Sequence, residues 1–199
     1  MRIADLKCRD SYSPSAPDCR GQESLFLGPR RPICFFFNLP PSDFSFCMLR
    51  KASLILFKLP YISSCRIQEA ASPAGRYALY PLLDFFSAFS DLFCPPAADP
   101  ARRVDFEDDR RRGYTEIDIT PIVRDWASGK LENRGLLLTG TPGSPSLYYA
   151  SHRYRIPGMR PLIRLKCEAA EFSRALQVVP CEVTVSRRTV PPAEKTGER

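Results

Sequence analysis

Apolar residues recur at every second position along much of this chain, and prolines cut the runs short. Ile163, Leu165 and Cys167 alternate with Arg164 and Lys166, the period of a strand with one wet face. Ile117 and Ile119 flank Asp118 in the same way. Phe35, Phe37 and Leu39 share one face of a predicted strand at 32–39, with Phe36 and Asn38 opposite, and Pro40-Pro41 stops it. The segment 52–59 is apolar on both faces except at Lys58, which predicts a central strand ended by Pro60. Further strands are expected at 2–8, 24–27, 77–80 and 136–138. The period changes after Ile119. Thr120 is placed to cap a helix, Pro121 suits its first position, Ile122, Val123 and Trp126 fall on one face, and Gly129 suits its end. That stripe assigns Trp126 to the core. In Pro81–Ser90, Leu82, Phe85, Phe86 and Phe89 stand at helical spacing, which predicts a short helix or turn over the core. Residues 94–113, proline-rich and then charged, read as a loop. The segment 175–186 is strand-like in part, and Thr189–Arg199 is proline-rich, charged and expected to be disordered. Many short strands between turns indicate an all-β sandwich.

The order of elements after Glu116 narrows this. Asp118-Ile119-Thr120-Pro121-Ile122-Val123 is followed by Trp126, Gly129, Asn133-Arg134-Gly135-Leu136-Leu137-Leu138, Tyr149-Ala150-Ser151 and Arg160-Pro161-Leu162-Ile163. This succession resembles the C-terminal half of the bacterial DNRLRE-type modules, the disaggregatase-related domains grouped as carbohydrate-binding module family 96. Earlier segments resemble the family more thinly: Ile3-Ala4-Asp5, Ser24-Leu25-Phe26-Leu27-Gly28, Phe35-Phe36-Phe37-Asn38-Leu39 and Ala52-Ser53-Leu54-Ile55-Leu56-Phe57. Two places depart from it. Leu6-Lys7 stands where the family has Thr-Tyr, and Ser151-His152-Arg153 where it often has Ser-Arg-Glu. The resemblance implies a jelly-roll-like β-sandwich of two antiparallel sheets with one or two short helices, spanning 1–167, with 168–199 as a tail or linker. It also implies a non-catalytic protein that binds extracellular or cell-surface polysaccharide. The alternative is a structural or adhesion protein of a cell or spore envelope, built on the same sandwich without sugar affinity.

Charge and cysteine content refine the choice of partner. The 199 residues carry a formal net charge of +7, which favours a polyanion such as an acidic polysaccharide. The Arg residues at 102, 103, 110, 111 and 112 lie among Asp105, Glu107, Asp108 and Asp109, so that segment partly neutralises itself. No nucleic-acid-binding motif occurs, and no specific nucleic-acid partner is expected. No apolar run of about 18 residues occurs, so no transmembrane helix is expected. The N-terminal segment has no apolar core of signal-peptide length, so the extracellular placement rests on the resemblance alone. The eight cysteines show no Cys-x-x-Cys pair, and His152 is the only histidine, which argues against structural zinc. Cys34 and Cys167 sit in apolar strand patterns as small buried hydrophobes.

Catalytic constellations are sparse. With one histidine and no Gly-x-Ser-x-Gly elbow or phosphate-binding loop, no enzyme is expected. Asp108 and Asp109 are adjacent carboxylates, and the charged run around them reads as a solvated loop. Sugar binding needs flat rings against C–H faces and polar groups for hydroxyls. Tyr148, His152 and Arg153 are the candidate ligand-binding residues: Tyr149 and Ser151 share one face of an alternating strand, and the resemblance implies that this is the core face. No cofactor is expected. Asp5 is the candidate ligand should a structural calcium be present.

Overall fold

The computed structural model describes residues 1–13, 23–28, 30–39, 49–60, 75–85, 96–109 and 111–168. Its elements are β1 (Arg2–Tyr12), β2 (Ser24–Leu27), β3 (Ile33–Phe37), β4 (Leu49–Phe57), β5 (Arg76–Pro81), β6 (Val104–Glu107), β7 (Tyr114–Asp118), α1 (Thr120–Ala127), β8 (Leu136–Gly140), β9 (Leu147–Ala150) and β10 (Leu162–Cys167). All strand pairs are antiparallel. The long sheet runs β6-β5-β8-β3-β1-β10-β4-β7, and β2 pairs with β9.

β1 makes a sandwich out of that long sheet. Its first half, Arg2 to Lys7, pairs with β10. Its second half, Cys8 to Tyr12, pairs with β3. The register slips between Cys8 and Asp10, so Arg9 is a bulged residue with no partner in the ladder. A bulge bends and twists a strand, which lets one strand serve two sheets. The expected strand at 2–8 therefore runs four residues further, to Tyr12. The polar run Arg9-Asp10-Ser11 hides this extension from a reading based on apolar alternation.

Both sheets contribute to one core. Phe35, Phe37, Leu79, Leu136 and Leu138 come from one side, and Ala52, Leu54, Leu56, Ile117, Ile163 and Leu165 from the other. β4 lies between β10 and β7, as a strand apolar on both faces should, and begins at Leu49. Cys34 and Cys167 are buried free thiols, and burial raises the pKa of both. On the outer face of β3, Phe36 stacks on Tyr12 with 5.5 Å between ring centroids. These two join Cys34, Leu82 and Leu137 in a second, smaller cluster.

The helix begins at Thr120 as expected, and Trp126 is 5% exposed in the core. Its cap differs. Ile119 occupies the cap position without a side-chain bond, while Asp118 Oδ1 accepts from both the amide (2.9 Å) and the hydroxyl (2.6 Å) of Thr120. The Thr120 hydroxyl oxygen in turn accepts from Ala52 N–H at 2.9 Å, tying the helix to β4. Gly129, at φ 71°, ends the helical turn, and its N–H reaches the Trp126 carbonyl.

Two further expectations are corrected. The segment 94–113 is not wholly loop: after a 3-10 turn at Pro100–Arg102, Val104 and Phe106 alternate with Asp105 and Glu107 as β6, an edge strand on β5. Charged outward positions suit a sheet edge, where they discourage pairing with other chains. Pro81 and Leu82 do not begin a helix, because Pro81 closes β5 and Leu82 bridges to Ala98. Residues 86–90, the rest of that expected helix, lie outside the described residues, as do the segment beyond Glu168 and Cys19, Cys47, Cys65 and Cys94. Among the described residues, no helix is long and apolar enough to cross a membrane.

Candidate functional site

The small β2–β9 sheet carries the candidate site. Its register sets Leu25 opposite Tyr149 and Phe26 opposite Tyr148. Leu25 and Tyr149 are buried in the core, so the pleat turns Phe26 and Tyr148 to the other face. There the two half-buried rings meet at 4.9 Å between centroids, tilted by 56°. The Arg31 guanidinium lies 5.3 Å from the Phe26 ring centre and makes no ion pair among the described residues. Gly28 leaves room for this arrangement: a Cβ there would stand 3.1 Å from the Phe26 ring. The backbone of β9 is anchored to the end of β4, where Leu59 N–H donates to the Tyr148 carbonyl at 2.8 Å.

His152 and Arg153 have a different setting. His152 Nδ1 accepts Ser11 N–H at 3.0 Å, and the Ser11 hydroxyl oxygen accepts His152 N–H at 2.9 Å. This pair of bonds latches the chain after β9 to the end of β1. Because Nδ1 accepts a backbone N–H, the neutral ring carries its proton on Nε2. Nε2 faces the Asp10 carboxylate at 3.5 Å and Arg153 Nε at 3.2 Å. Both nitrogens of that second contact bear hydrogen, so it is not a hydrogen bond. Burial first of all, then the Arg153 and Arg160 charges, lowers the His152 pKa below 6.5, although the Asp10 carboxylate opposes the shift. The imidazole is thus a structural tie, and Arg153 is an exposed neighbour held through its backbone to Ser151.

Beneath the platform lies a polar network that the sequence did not announce. Asp108 pairs with Lys58 at 2.8 Å, the two side chains being 2% and 12% exposed. Asp108 also accepts from the Thr115 hydroxyl at 2.7 Å, and Thr115 meets the Tyr149 hydroxyl at 2.9 Å. Lys58 donates again to the Asp109 carbonyl at 2.6 Å. Asp108 is therefore a buried carboxylate and not part of a solvated loop. Asp109 alone fits that description, being exposed and facing Arg112 at 3.2 Å. Burial pushes the Tyr149 phenol pKa up, so it stays protonated and available as a donor. The signal for this network was Lys58, the single charge in the otherwise apolar segment 52–59.

Asp5 is engaged as well. Both its oxygens accept from Arg164, each at 2.8 Å, and this guanidinium lowers the Asp5 pKa. A carboxylate so held is already neutralised and is a poor calcium ligand. No group of three or more His, Cys, Asp or Glu with metal-binding geometry occurs among the described residues. No family model matches the chain, and no curated protein matches it.

Proposed function

We propose that this chain is a non-catalytic carbohydrate-binding protein whose platform is formed by Tyr148 and Phe26, with Arg31 as the cationic neighbour. One observation carries the reading: two aromatic rings and an arginine without an ion-pair partner among the described residues are gathered on the outer face of a two-stranded sheet. Rings of this kind stack on the C–H faces of pyranoses, and a guanidinium beside them recognises a carboxylate. The resemblance to the DNRLRE-type modules supports the same class of ligand, and the net charge of +7 favours an acidic extracellular or cell-surface polysaccharide. Tyr148 keeps the role its sequence position suggested. His152 does not enter the site, because its acceptor nitrogen already serves Ser11.

Affinity electrophoresis with uronate-rich and neutral polysaccharides tests the reading. The parent protein is expected to be retarded by the uronate polymer. Tyr148→Ala is expected to abolish the retardation, and Arg31→Ala to weaken it while removing most of its salt dependence. Retardation that is equal on neutral glucan, or unchanged in both variants, refutes this site. Absence of retardation on every polysaccharide leaves the envelope building block as the better description.

A further inference from the structure

A second concavity lies away from this platform, where β1 crosses from one sheet to the other. It has a volume of about 350 Å³, and its walls include Arg9, Phe36, Asn38, Phe85, Asn133 and Arg134. Three independent features build it. The bulge in β1 takes Arg9 out of the strand ladder, and bulges commonly re-aim a side chain in this way. Gly135, at φ 108°, brings the loop onto β3 so closely that a Cβ there would stand 2.8 Å from the Phe36 ring and 2.9 Å from the Phe35 carbonyl. Asn133 Nδ2 donates to the Phe37 carbonyl at 2.8 Å, which pins the loop at the end of β3.

The polar groups of the cavity are not equivalent. Arg134 is consumed by the fold: Nε and Nη2 donate to Glu132 at 3.0 and 2.7 Å, and Nη1 donates to the Leu83 carbonyl. Its guanidinium lies 4.6 Å from the Phe85 ring centre and so holds that ring in position from one side. Phe85 nevertheless stays 75% exposed, a large apolar surface for a ring fixed in place. Arg9 is different. It is exposed, and among the described residues it makes no ion pair and one side-chain hydrogen bond, a long contact to Asn38 Oδ1 at 3.3 Å. The cavity thus offers one guanidinium fork beside an exposed ring, over a phenylalanine floor.

We infer that this cavity is a binding site for a small ring-bearing carboxylate, with Arg9 taking the carboxylate and Phe85 taking the ring. A fork of two parallel N–H donors matches a carboxylate, and the exposed Phe85 ring favours a flat body over a hydrated inorganic anion. The volume lies at the lower end of ligand sites and suits a single ring. The site is separate from the Tyr148 platform and takes a monomeric ligand.

Ligand-observed NMR on the full chain tests the assignment, with benzoate as probe and benzyl alcohol and acetate as controls. Saturable binding of benzoate is expected, with benzyl alcohol and acetate each weaker by about tenfold or more, the order of one charge-assisted contact. Arg9→Gln should bring benzoate down to the level of benzyl alcohol. Phe85→Ala should weaken benzoate and leave acetate unchanged. Tyr148→Ala should leave benzoate binding intact, which separates this site from the polysaccharide platform. No saturable benzoate signal, acetate binding as well as benzoate, or an Arg9→Gln protein indistinguishable from the parent each overturns the inference.

Discussion

Removing Lys58 is expected to destabilise the protein more than neutralising its partner Asp108, and the reason is how the two ends of the pair are solvated. The Asp108 side chain is 2% exposed and the Lys58 side chain 12%. In Lys58→Met the carboxylate keeps, among the described residues, only the Thr115 hydroxyl, and almost no water reaches it. A buried charge stripped of its partner costs about 3–5 kcal/mol. In Asp108→Asn the amide oxygen still accepts from Thr115, and Lys58 still donates to the Asp109 carbonyl and touches solvent. That change removes one charge-assisted contact and is expected to cost about 1–2 kcal/mol. Replacing both together, with Lys58→Met and Asp108→Leu, removes the desolvation of both charges. It is expected to fall within about 1 kcal/mol of the parent, well short of the sum of the single changes. Urea unfolding monitored by Trp126 fluorescence measures all three, provided the slopes agree between variants. Equal costs for the two single variants, or a double variant as unstable as the sum, would show that burial does not govern this pair.

Three further outcomes follow from the packing. Trp126→Ala is expected to cost about 3–5 kcal/mol, while Trp126→Phe costs less because the indole N–H has no hydrogen-bond partner among the described residues; circular-dichroism melts that match the parent for the alanine variant would contradict this. Gly135→Ala combines a positive φ with a contact to backbone and is expected to cost about 2–3 kcal/mol in the same urea assay, against under about 0.5 kcal/mol for a control at exposed Gly158. His152 has a folded-state pKa below its ordinary 6.5, so its contribution to stability is full above about 6.5 and erodes as pH falls toward the folded-state value. Protonation of Nδ1 would set an N–H against Ser11 N–H, and His152→Asn should lose this component of the pH dependence between about pH 7 and 5; a slope identical to that of the parent would refute the latch.

The alternation of Ile163, Leu165 and Cys167, the face shared by Phe35 and Phe37, and the stripe of Ile122, Val123 and Trp126 are local patterns, and each determined its element and buried face without reference to the rest of the chain. Such periods are legible because one side of a strand or helix must leave water regardless of what it packs on. The outward turn of Tyr148 was legible only through the resemblance, which put Tyr149 on the core face. What it would meet was not, since Phe26 reaches it only through the β2–β9 register. The tertiary structure alone decided the sheet change at the Arg9 bulge, the Asp108–Lys58 pair and the use of His152 as a tie to Ser11. It also decided that Val104 and Phe106 pair with β5 instead of lying in a charged loop. Each depends on a partner distant in sequence, and a polar residue carries no local mark of whether its partner will be water, a backbone amide or an opposite charge.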